Sequence, residues 1–452
     1  MDKDINFDNS IVAIATAQGV SSISIIRVSG DASLSIAYKI SQLEKITPRY
    51  AHLTSLYNYN DELIDKAIMI YFSSPYSFTG ENIVEFQCHG GMIVAQEILD
   101  TILEYGVRLA QPGEFSKRAF LNGKIDLTEA EAISKLIEAK SVDAAKILAK
   151  QMKGELRTFV DESREALLQS LAYSEVMIDY AEEDIPDDIM KSITDQLDTL
   201  TLKIEQIVDA SYRRRGLIEG FNVAIVGKPN VGKSSLLNAL LSYDRAIVSN
   251  IAGTTRDTIE EQVRIGSHII RLVDTAGIRD SEDTIEKIGI ERSLLSVDEA
   301  DVIIALFDGS RVFDEEDKKI LELVENLEDK HIIIAVNKID LENAFRLENL
   351  VGYDVIEVSA KKSFTQLTQR LELLFDSIGA GEELMLISTR QIEAVTKARD
   401  SIVEAKKPLL NGELEFFSYQ LQEAVKSISS ISKPYNSEEV LDKMFGEFCL
   451  GK

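Results

Sequence analysis

Apolar and polar residues alternate along this chain in three different ways, and each pattern covers its own region. Over residues 1–120 the apolar residues form short β-rich runs, at Ser10 to Thr16, Ser22 to Val28, Ala67 to Phe72 and Asn82 to Gln87. Runs of this length between glycine and polar turns are typical of strands. A helix is expected after Gly90-Gly91, ending near Tyr105. The first region therefore predicts an N-terminal α+β domain over residues 1–120.

The second pattern is helical. From about residue 126 to 215 apolar residues recur every three or four positions, as at Ile133, Leu136 and Ile137, the spacing of amphipathic helices. Asp126, or Thr128 with Glu131, is expected to cap the first helix. Residues 184–187 are expected to break the run, leaving two or three helices.

Helical composition resumes near the end of the chain. It begins at Glu382 and continues to about Ser432, and Pro408 and Gly412 are expected to interrupt it. Together the two helical segments predict one discontinuous helical bundle domain, over residues 121–216 and 381–452.

The third pattern alternates buried strands with helices over residues 217–380. The expected strands are Phe221 to Val226, Ile269 to Val273, Ile332 to Val336 and Val355 to Val358. Alternation of this kind predicts a doubly wound α/β domain. Because helical sequence flanks it on both sides, we expect this domain to be inserted into the helical one. The fold class is thus multidomain α/β.

Composition narrows the class of protein. The 452 residues suffice for about three domains, and 45% of them are apolar, as in a globular protein. No apolar run reaches membrane-spanning length, and the first residues are acidic, unlike a signal peptide. Cys88 and Cys449 lie far apart, which favours a reducing cytoplasm and argues against a disulfide framework.

Charge limits the possible contacts with nucleic acid. The formal net charge of −27 argues against a protein that coats nucleic acid, so any RNA contact needs a local basic patch or a partner. Arg213-Arg214-Arg215 ends the first helical segment. Cations there usually balance the helix dipole in solvent, and RNA binding is the less favoured alternative.

The candidate chemistry begins at Gly227-Lys228-Pro229-Asn230-Val231-Gly232-Lys233-Ser234, between a predicted strand and a predicted helix. This is the pattern of a phosphate-binding loop. Its glycines let backbone N–H groups point at an anion, and the following helix adds its free amides. Lys233 supplies charge to the outer phosphates and Ser234 a hydroxyl to magnesium.

Three further motifs follow predicted strands and indicate GTP. Asp340, in Asn337-Lys338-Ile339-Asp340, can accept two hydrogen bonds from guanine, whereas adenine would leave the carboxylate unpaired. Asp274-Thr275-Ala276-Gly277 suits the magnesium side of the γ-phosphate, and Ser359-Ala360-Lys361 the base. The residues expected to bind GTP are Asn230, Val231, Gly232, Lys233, Ser234, Ser235, Ser249, Thr254, Thr255, Asp274, Thr275, Ala276, Gly277, Asn337, Lys338, Asp340, Ser359, Ala360 and Lys361.

The catalytic group differs from that of Ras-like enzymes. Ile278 occupies the position of the glutamine that orients water, so another residue must do so, and Glu286 is a candidate. Thr255 or Thr254 is expected to reach magnesium. The side-chain oxygen of Asn230 suits a monovalent cation, but turn chemistry after Pro229 explains an asparagine there equally well.

Across nearly its full length the sequence resembles the MnmE (TrmE) family of tRNA-modification GTPases. The marks in the nucleotide-binding region are residues 227–234, Ala252 to Asp257, and Asp274 through Glu286 to Arg292. Those outside it, which single out the family, are Arg27 in Ser24 to Gly30, Gln111-Pro112-Gly113-Glu114-Phe115-Ser116-Lys117-Arg118-Ala119-Phe120, and Phe448-Cys449-Leu450-Gly451-Lys452. Leu450 replaces the isoleucine of most members, with little change of volume.

The resemblance implies a site for a folate in the N-terminal domain. The cofactor would be 5-formyl- or methylene-tetrahydrofolate, held by Arg27, Glu85, Lys124 and Lys452, with Cys449 as a catalytic residue near the one-carbon unit. The family further implies a homodimer, and a partner, the FAD enzyme MnmG. The product would be a carboxymethylaminomethyl or aminomethyl group at carbon 5 of the wobble uridine of certain tRNAs.

The resemblance also implies a mechanism for GTP hydrolysis. Two GTPase domains would pair face to face, with K⁺ bound by Asn230 and by backbone carbonyls of Ser249, Ile251 and Thr254, and Glu286 would position the water. Two other functions stay open from the residues alone. One is a regulatory GTPase of ribosome or RNA assembly, and the other is a dimeric scaffold whose shape depends on GTP.

Overall fold

The computed structural model describes residues 9–17, 19–139, 141–179, 187–243, 262–272, 297, 300–327, 330–342, 344–350, 352–381, 383–433, 438–446, 448 and 451. The chain divides into two compact units. The first consists of Met1–Ile137, Gln151–Glu183 and Lys407–Lys452, and the second of Glu138–Lys150 and Asp184–Lys406. The three-domain division expected above stays a prediction. No described helix has both the length and the apolar character needed to cross a bilayer.

The first unit contains a six-stranded sheet with the order β3-β4-β5-β2-β1-β6. Its pairs are antiparallel except β1 with β6. In chain order the elements are β1 Ile11–Ile14, β2 Ile23–Ser29, α1 Ser33–Ser41, β3 His52–Tyr57, β4 Leu63–Phe72, β5 Ile83–His89, α2 Met92–Glu104, β6 Arg108–Leu109 and α3 Glu114–Leu121. All four predicted strands and the predicted helix are confirmed. The α+β architecture follows.

The core of this sheet forms against α1 and α2. Ile36 and Ile40 of α1 are fully buried together with Ile98 of α2 and with Val28 and Phe86 of the strands. The sequence did not indicate α1, β3 or α3. Polar residues interrupt the apolar spacing in each, so these elements depend on packing more than on pattern.

Four helices follow, and they fall alternately in the first and the second unit. They are α4 Leu127–Glu138, α5 Val142–Met152, α6 Glu155–Asp179 and α7 Asp187–Glu219. Four helices therefore lie where two or three were expected. An additional break comes at Gly154, whose φ of +84° lies in the left-handed region that ends a helix. The prediction that the segment ends at Arg215 was also short, since α7 continues to Glu219.

The cap of α4 is Asp126. Its Oδ1 accepts from the Glu129 N–H at 2.9 Å, and Glu129 Oε2 accepts from the Asp126 N–H at 3.1 Å. This reciprocal pair is a capping box, which stabilises the first turn. The structure thus selects the first of the two predicted caps.

The second unit is built on another six-stranded sheet, with the order β12-β11-β10-β7-β9-β8. All of its pairs are parallel except β8 with β9. Its further elements are β7 Phe221–Val226, α8 Lys233–Tyr243, β8 Gln262–Ile265, β9 His268–Leu272, β10 Val302–Asp308, α9 Glu315–Glu325, β11 His331–Asn337, a 3-10 helix Leu347–Leu350, β12 Val355–Glu357 and α10 Thr365–Gly379.

Both faces of this sheet are buried. Along β10, Ile303 and Ala305 join one apolar cluster, whereas Ile304 and Leu306 join the other. Side chains of a strand alternate between faces, so each face has its own core. The doubly wound fold is confirmed, and its four predicted strands appear within one or two residues.

Three helices complete the chain, α11 Thr389–Asn411, α12 Leu414–Ser429 and α13 Glu438–Gly446. The expected interruption at Pro408 was wrong, because α11 continues through that residue. The helix ends instead at Gly412, whose φ is +76°. There the N–H of Glu413 bonds the carbonyl of Pro408 at 2.9 Å and that of Gly412 bonds Leu409 at 3.2 Å. Proline is tolerated because only its own N–H bond is lost, within the last turn.

Candidate nucleotide-binding site

The glycine-rich loop lies between β7 and α8, at the carboxyl end of a strand inside the parallel sheet. Ligands bind at this edge in open α/β sheets. Gly232 has a φ of +102°, and a Cβ built there would lie 2.3 Å from Asn337 Nδ2. A Cβ on Gly227 would lie 2.4 Å from the carbonyl oxygen of Leu306. Both glycines are therefore required by close approach of neighbouring groups.

Lys233 reaches across this loop. Its Nζ donates to the carbonyl of Gly227 at 2.7 Å and to that of Lys228 at 3.0 Å. Burial lowers the pKa of Lys233. A partly buried ammonium held by neutral carbonyls gains from an anion, so this cation suits the phosphates of a nucleotide.

Asn337 joins the predicted base motif to the loop. The residue is 2% exposed, and its Nδ2 donates to the carbonyl of Val231 at 2.9 Å. Its Oδ1 accepts from the N–H of Ala360 at 3.0 Å. One side chain thus connects three of the predicted motifs, and it does so through backbone groups.

Asp340 and Ser359 also meet. Ser359 Oγ donates to Asp340 Oδ1 at 2.7 Å, and this bond holds the pKa of Asp340 below its ordinary value. The carboxylate therefore stays ionised, and its other oxygen takes no part in this bond. A group that accepts hydrogen bonds from guanine needs both properties. Ser234 and Ser235, near the start of α8, are exposed. Lys361, which follows β12, is also exposed.

Lys338 makes a second connection to the loop. Its Nζ lies 2.6 Å from the carbonyl oxygen of Asn230 and 2.7 Å from Asp308 Oδ2. Asn230 itself is exposed and has a φ of +65°. That conformation agrees with turn chemistry. Its exposed amide oxygen also fits a monovalent cation, because neutral oxygens are suitable ligands for one. The two explanations are compatible.

Two residues of this site were not predicted, Asp308 and Lys228. Asp308 ends β10 and is 2% exposed; although burial opposes its charge, hydrogen bonds from Lys338 and Ser310 keep the pKa of Asp308 low. The available signal was position, because a carboxylate at the carboxyl end of a parallel strand faces the ligand edge.

Lys228 lies inside the loop and is 7% exposed. Its Nζ contacts Asp314 Oδ2 at 2.7 Å and Asp317 Oδ2 at 2.6 Å. Although burial opposes the charge, these bonds raise the pKa of Lys228. Asp314 and Asp317 form the capping box of α9, so Lys228 anchors the loop to the first turn of that helix.

Arg27 and Glu85 come together in the first unit. They are directly opposite on β2 and β5, and Arg27 Nε donates to Glu85 Oε1 at 2.9 Å. Lys124 is exposed, and its side chain packs on the turn at Gly80. Three of the four expected folate contacts, Arg27, Glu85 and Lys124, therefore lie among the residues that the structure describes.

The remaining predicted residues lie outside the described residues, and their roles stay predictions. They are Ser249, Ile251, Thr254, Thr255, Asp274, Thr275, Ala276, Gly277, Ile278, Glu286, Cys449 and Lys452.

In the Arg213-Arg214-Arg215 cluster, Arg214 is buried, 7% exposed, and donates to the carbonyl of Glu383 at 3.1 Å. Its guanidinium is therefore a structural group of the second unit. The alternative of RNA binding rests on Arg213 and Arg215 alone.

A doubly wound parallel sheet with this loop and these linked motifs defines a P-loop nucleotide-binding protein. Residues 127–449 match the family model described as the MnmE helical domain, and residues 10–124 match that of the GTP-binding protein TrmE N-terminus. The chain belongs to the MnmE (TrmE) family.

Full-length relatives agree. A protein of Sulfurovum sp. (strain NBC37-1), "tRNA modification GTPase MnmE", is 80% identical over 98% of this chain and 99% of its own length. One of the same name from Aliarcobacter butzleri (strain RM4018) is 58% identical over 99% of this chain and 100% of its own. A solved structure of Era with MgGDPNP and nucleotides 1506–1542 of 16S ribosomal RNA is 27% identical. The match covers 40% of this chain and 66% of that chain, with a TM-score of 0.26.

Proposed function

We propose that this chain is an enzyme that hydrolyses GTP in the modification of tRNA. The observation that carries the proposal is the pair of bonds from Asn337 and Lys338 to the loop carbonyls of Val231 and Asn230. They bring the residues for guanine and for phosphate to one edge of the sheet. The chain also shares 80% of its residues with a relative named tRNA modification GTPase.

The predicted site residues would then have separate tasks. Lys233 exchanges its bonds to loop carbonyls for the β- and γ-phosphates, and Asp340 accepts from the guanine ring. Ser234, with Thr255, would hold Mg²⁺, which neutralises phosphate charge when bound. Glu286 would orient the attacking water, since Ile278 has no group to do so.

The cation side of the loop is assigned to Asn230. Its amide oxygen, together with the backbone carbonyls of Ser249, Ile251 and Thr254, would hold K⁺ when two GTPase domains pair. A bound cation supplies the positive charge that an arginine finger supplies in other GTPases. Lys338 donates a hydrogen bond to the backbone carbonyl of Asn230, so the backbone that carries the Asn230 side chain is held in position.

The N-terminal region is assigned the one-carbon chemistry. Arg27, Glu85, Lys124 and Lys452 would bind a 5-formyl- or methylene-tetrahydrofolate, which supplies the one-carbon unit, with Cys449 beside it. The Arg27–Glu85 pair supports this, because its oxygens and guanidinium offer both an acceptor and donors to a polar ring. MnmG, an FAD enzyme, would complete the reaction at carbon 5 of the wobble uridine.

The test is GTP hydrolysis in KCl and in NaCl at matched ionic strength, with Asn230→Ala. We expect at least tenfold stimulation by K⁺ in the unaltered chain and none in the variant. Fluorescent GDP binding should change less than threefold in Asn230→Ala, which separates the cation from nucleotide affinity. Asn238→Ala, on the exposed side of α8, is the control and should keep the stimulation.

Equal rates of the unaltered chain in the two salts would contradict the cation mechanism. The activator would then be a protein that supplies an arginine, as for an assembly GTPase.

A further inference from the structure

Residues 111–120 mark the family in the sequence but have no task in the proposed reaction. The structure places them in the turn before α3 and along that helix, against α13. Phe445 of α13 is 1% exposed and packs with Leu127, Ala130 and Leu441, while Phe120 of α3 joins the same cluster. Lys117 on α3 also pairs with Asp442 on α13. The motif is therefore a seat for the C-terminal helix.

Gly113 is the point of closest approach in this seat. Its φ is +66°, and a Cβ built on it would lie 2.1 Å from the carbonyl oxygen of Phe445 and 3.0 Å from Phe448 Cβ. That carbonyl accepts the N–H of Phe448 at 2.9 Å, the bond that turns the chain after α13. Any side chain at position 113 must displace this turn.

A second glycine holds the far side of the same tail. Gly451 has a φ of +88°, and a Cβ on it would lie 2.6 Å from the carbonyl oxygen of Ile14 and 3.1 Å from Ala15 Cα. Ile14 ends β1, and the residue before it, Ala13, is directly opposite Arg27 on β2. Gly451 therefore lies at the end of the strand that neighbours the Arg27–Glu85 pair.

The α3 segment also touches that pair. The Arg27 guanidinium lies 5.7 Å from the centre of the Phe115 ring, and Phe115 is fully buried. Glu114 accepts from Arg118 at 3.1 Å and also binds Arg108, which fixes the first turn of α3. One short helix thus contacts the predicted folate pair on one side and the C-terminal helix on another.

We propose that Gly113 and the first turn of α3 form a tail seat, which holds Phe448 against Gly113 and thereby positions Gly451 at the end of β1, the strand that pairs with β2 at Arg27. Gly113 is a positioning residue for the one-carbon site, acting through the tail. The inference rests on the proposed function only in taking the Arg27–Glu85 pair as part of that site.

Gly113→Ala tests the seat, and Gly123→Ala is a closely matched control. Gly123 follows α3 as Gly113 precedes it, has the same φ of +66°, and has nothing within 4 Å of a built Cβ. Backbone strain is therefore alike in the two variants, and the steric contact differs. We expect hydrogen exchange in the peptide covering residues 438–452 to rise at least tenfold in Gly113→Ala and to stay within twofold in Gly123→Ala.

A second measurement is the affinity for 5-formyl-tetrahydrofolate. It should fall at least tenfold in Gly113→Ala, while GTP hydrolysis, which uses the other unit, stays within twofold. If Gly113→Ala does not fold, Gly451→Ala tests the same tail from its far side. Gly451→Ala should weaken the binding of 5-formyl-tetrahydrofolate and lower the unfolding temperature by no more than a few degrees.

Equal exchange in the two glycine variants would overturn the tail seat. Increased exchange with unchanged folate affinity would overturn its link to the one-carbon site. Absence of folate binding in the unaltered chain would instead contradict the proposed function, and the exchange experiment would still decide the seat.

Discussion

Asp308 shows how much a single residue organises in the nucleotide site. Its Oδ2 accepts from Lys338 Nζ at 2.7 Å, and its Oδ1 accepts from the N–H and hydroxyl of Ser310 at 3.0 and 2.7 Å. Lys338 in turn reaches the carbonyl of Asn230 at 2.6 Å. One buried carboxylate therefore orients the lysine that connects the base motif to the loop.

Asp308→Asn should weaken guanine nucleotide binding about tenfold, which corresponds to about 1.4 kcal/mol. The neutral amide loses the charge-assisted bond that holds Lys338 in place. Displacement of fluorescent GDP measures the effect. Arg311→Gln is the control, because Arg311 Nε lies 3.6 Å from the same carboxylate but its side chain is 61% exposed. A similar loss in both variants would argue against a role through Lys338.

At the scale of secondary-structure elements, Lys228 links the phosphate-binding loop to α9. Removing the ammonium leaves the buried Asp317 and the half-exposed Asp314 without their cation. Lys228→Met should lower the free energy of unfolding of the second unit by roughly 3 kcal/mol, near the lower end for a broken buried pair, since Asp317 keeps a backbone donor. Urea unfolding measures it. Lys318→Met, an exposed change on α9, should cost less than about 1 kcal/mol.

The ion pair between Lys228 and Asp314 predicts that the stability of the folded chain depends on pH. The hydrogen bond from Lys228 lowers the pKa of Asp314 from 3.8 to about 2. A carboxyl whose pKa is depressed by folding stabilises the folded state above its unfolded pKa and loses that contribution as the pH falls through its folded pKa. The unaltered chain should therefore lose stability between about pH 4 and 2. In Lys228→Met this part of the loss should shrink, and an unchanged acid profile would contradict the assignment.

At the scale of the whole molecule, the family resemblance implies a homodimer. Leu53 and Ile68 are cross-strand partners on β3 and β4, yet they are 65% and 39% exposed. An apolar pair in this position is suited to a second copy. Light scattering should give twice the 50.4 kDa of one chain, in KCl and NaCl alike, since this contact needs no cation. The mass of a single chain at micromolar concentration would contradict the homodimer.

Much of the fold follows from the residues in order. Strand β7 has the predicted bounds, Phe221 to Val226, because a compact apolar run between polar residues is a local signal. By contrast, α11 continues past Pro408, and Gly154 separates two helices that composition alone joins. The continuation of α11 past Pro408 depends on the Gly412 cap four residues later. The break at Gly154 depends on the left-handed backbone conformation of that glycine. Neither changes the apolar spacing.

The sequence by itself identified the family and predicted the chemistry of the site. The predicted phosphate loop is made of consecutive residues, so local backbone geometry is enough to bring its glycines, Lys233 and Ser234 together. Only the tertiary structure decided which groups hold that chemistry in place. Lys228 finds Asp317, and Gly113 finds Phe445, across long stretches of chain. Such partners are selected by sheet order and helix packing, which leave no mark in local spacing.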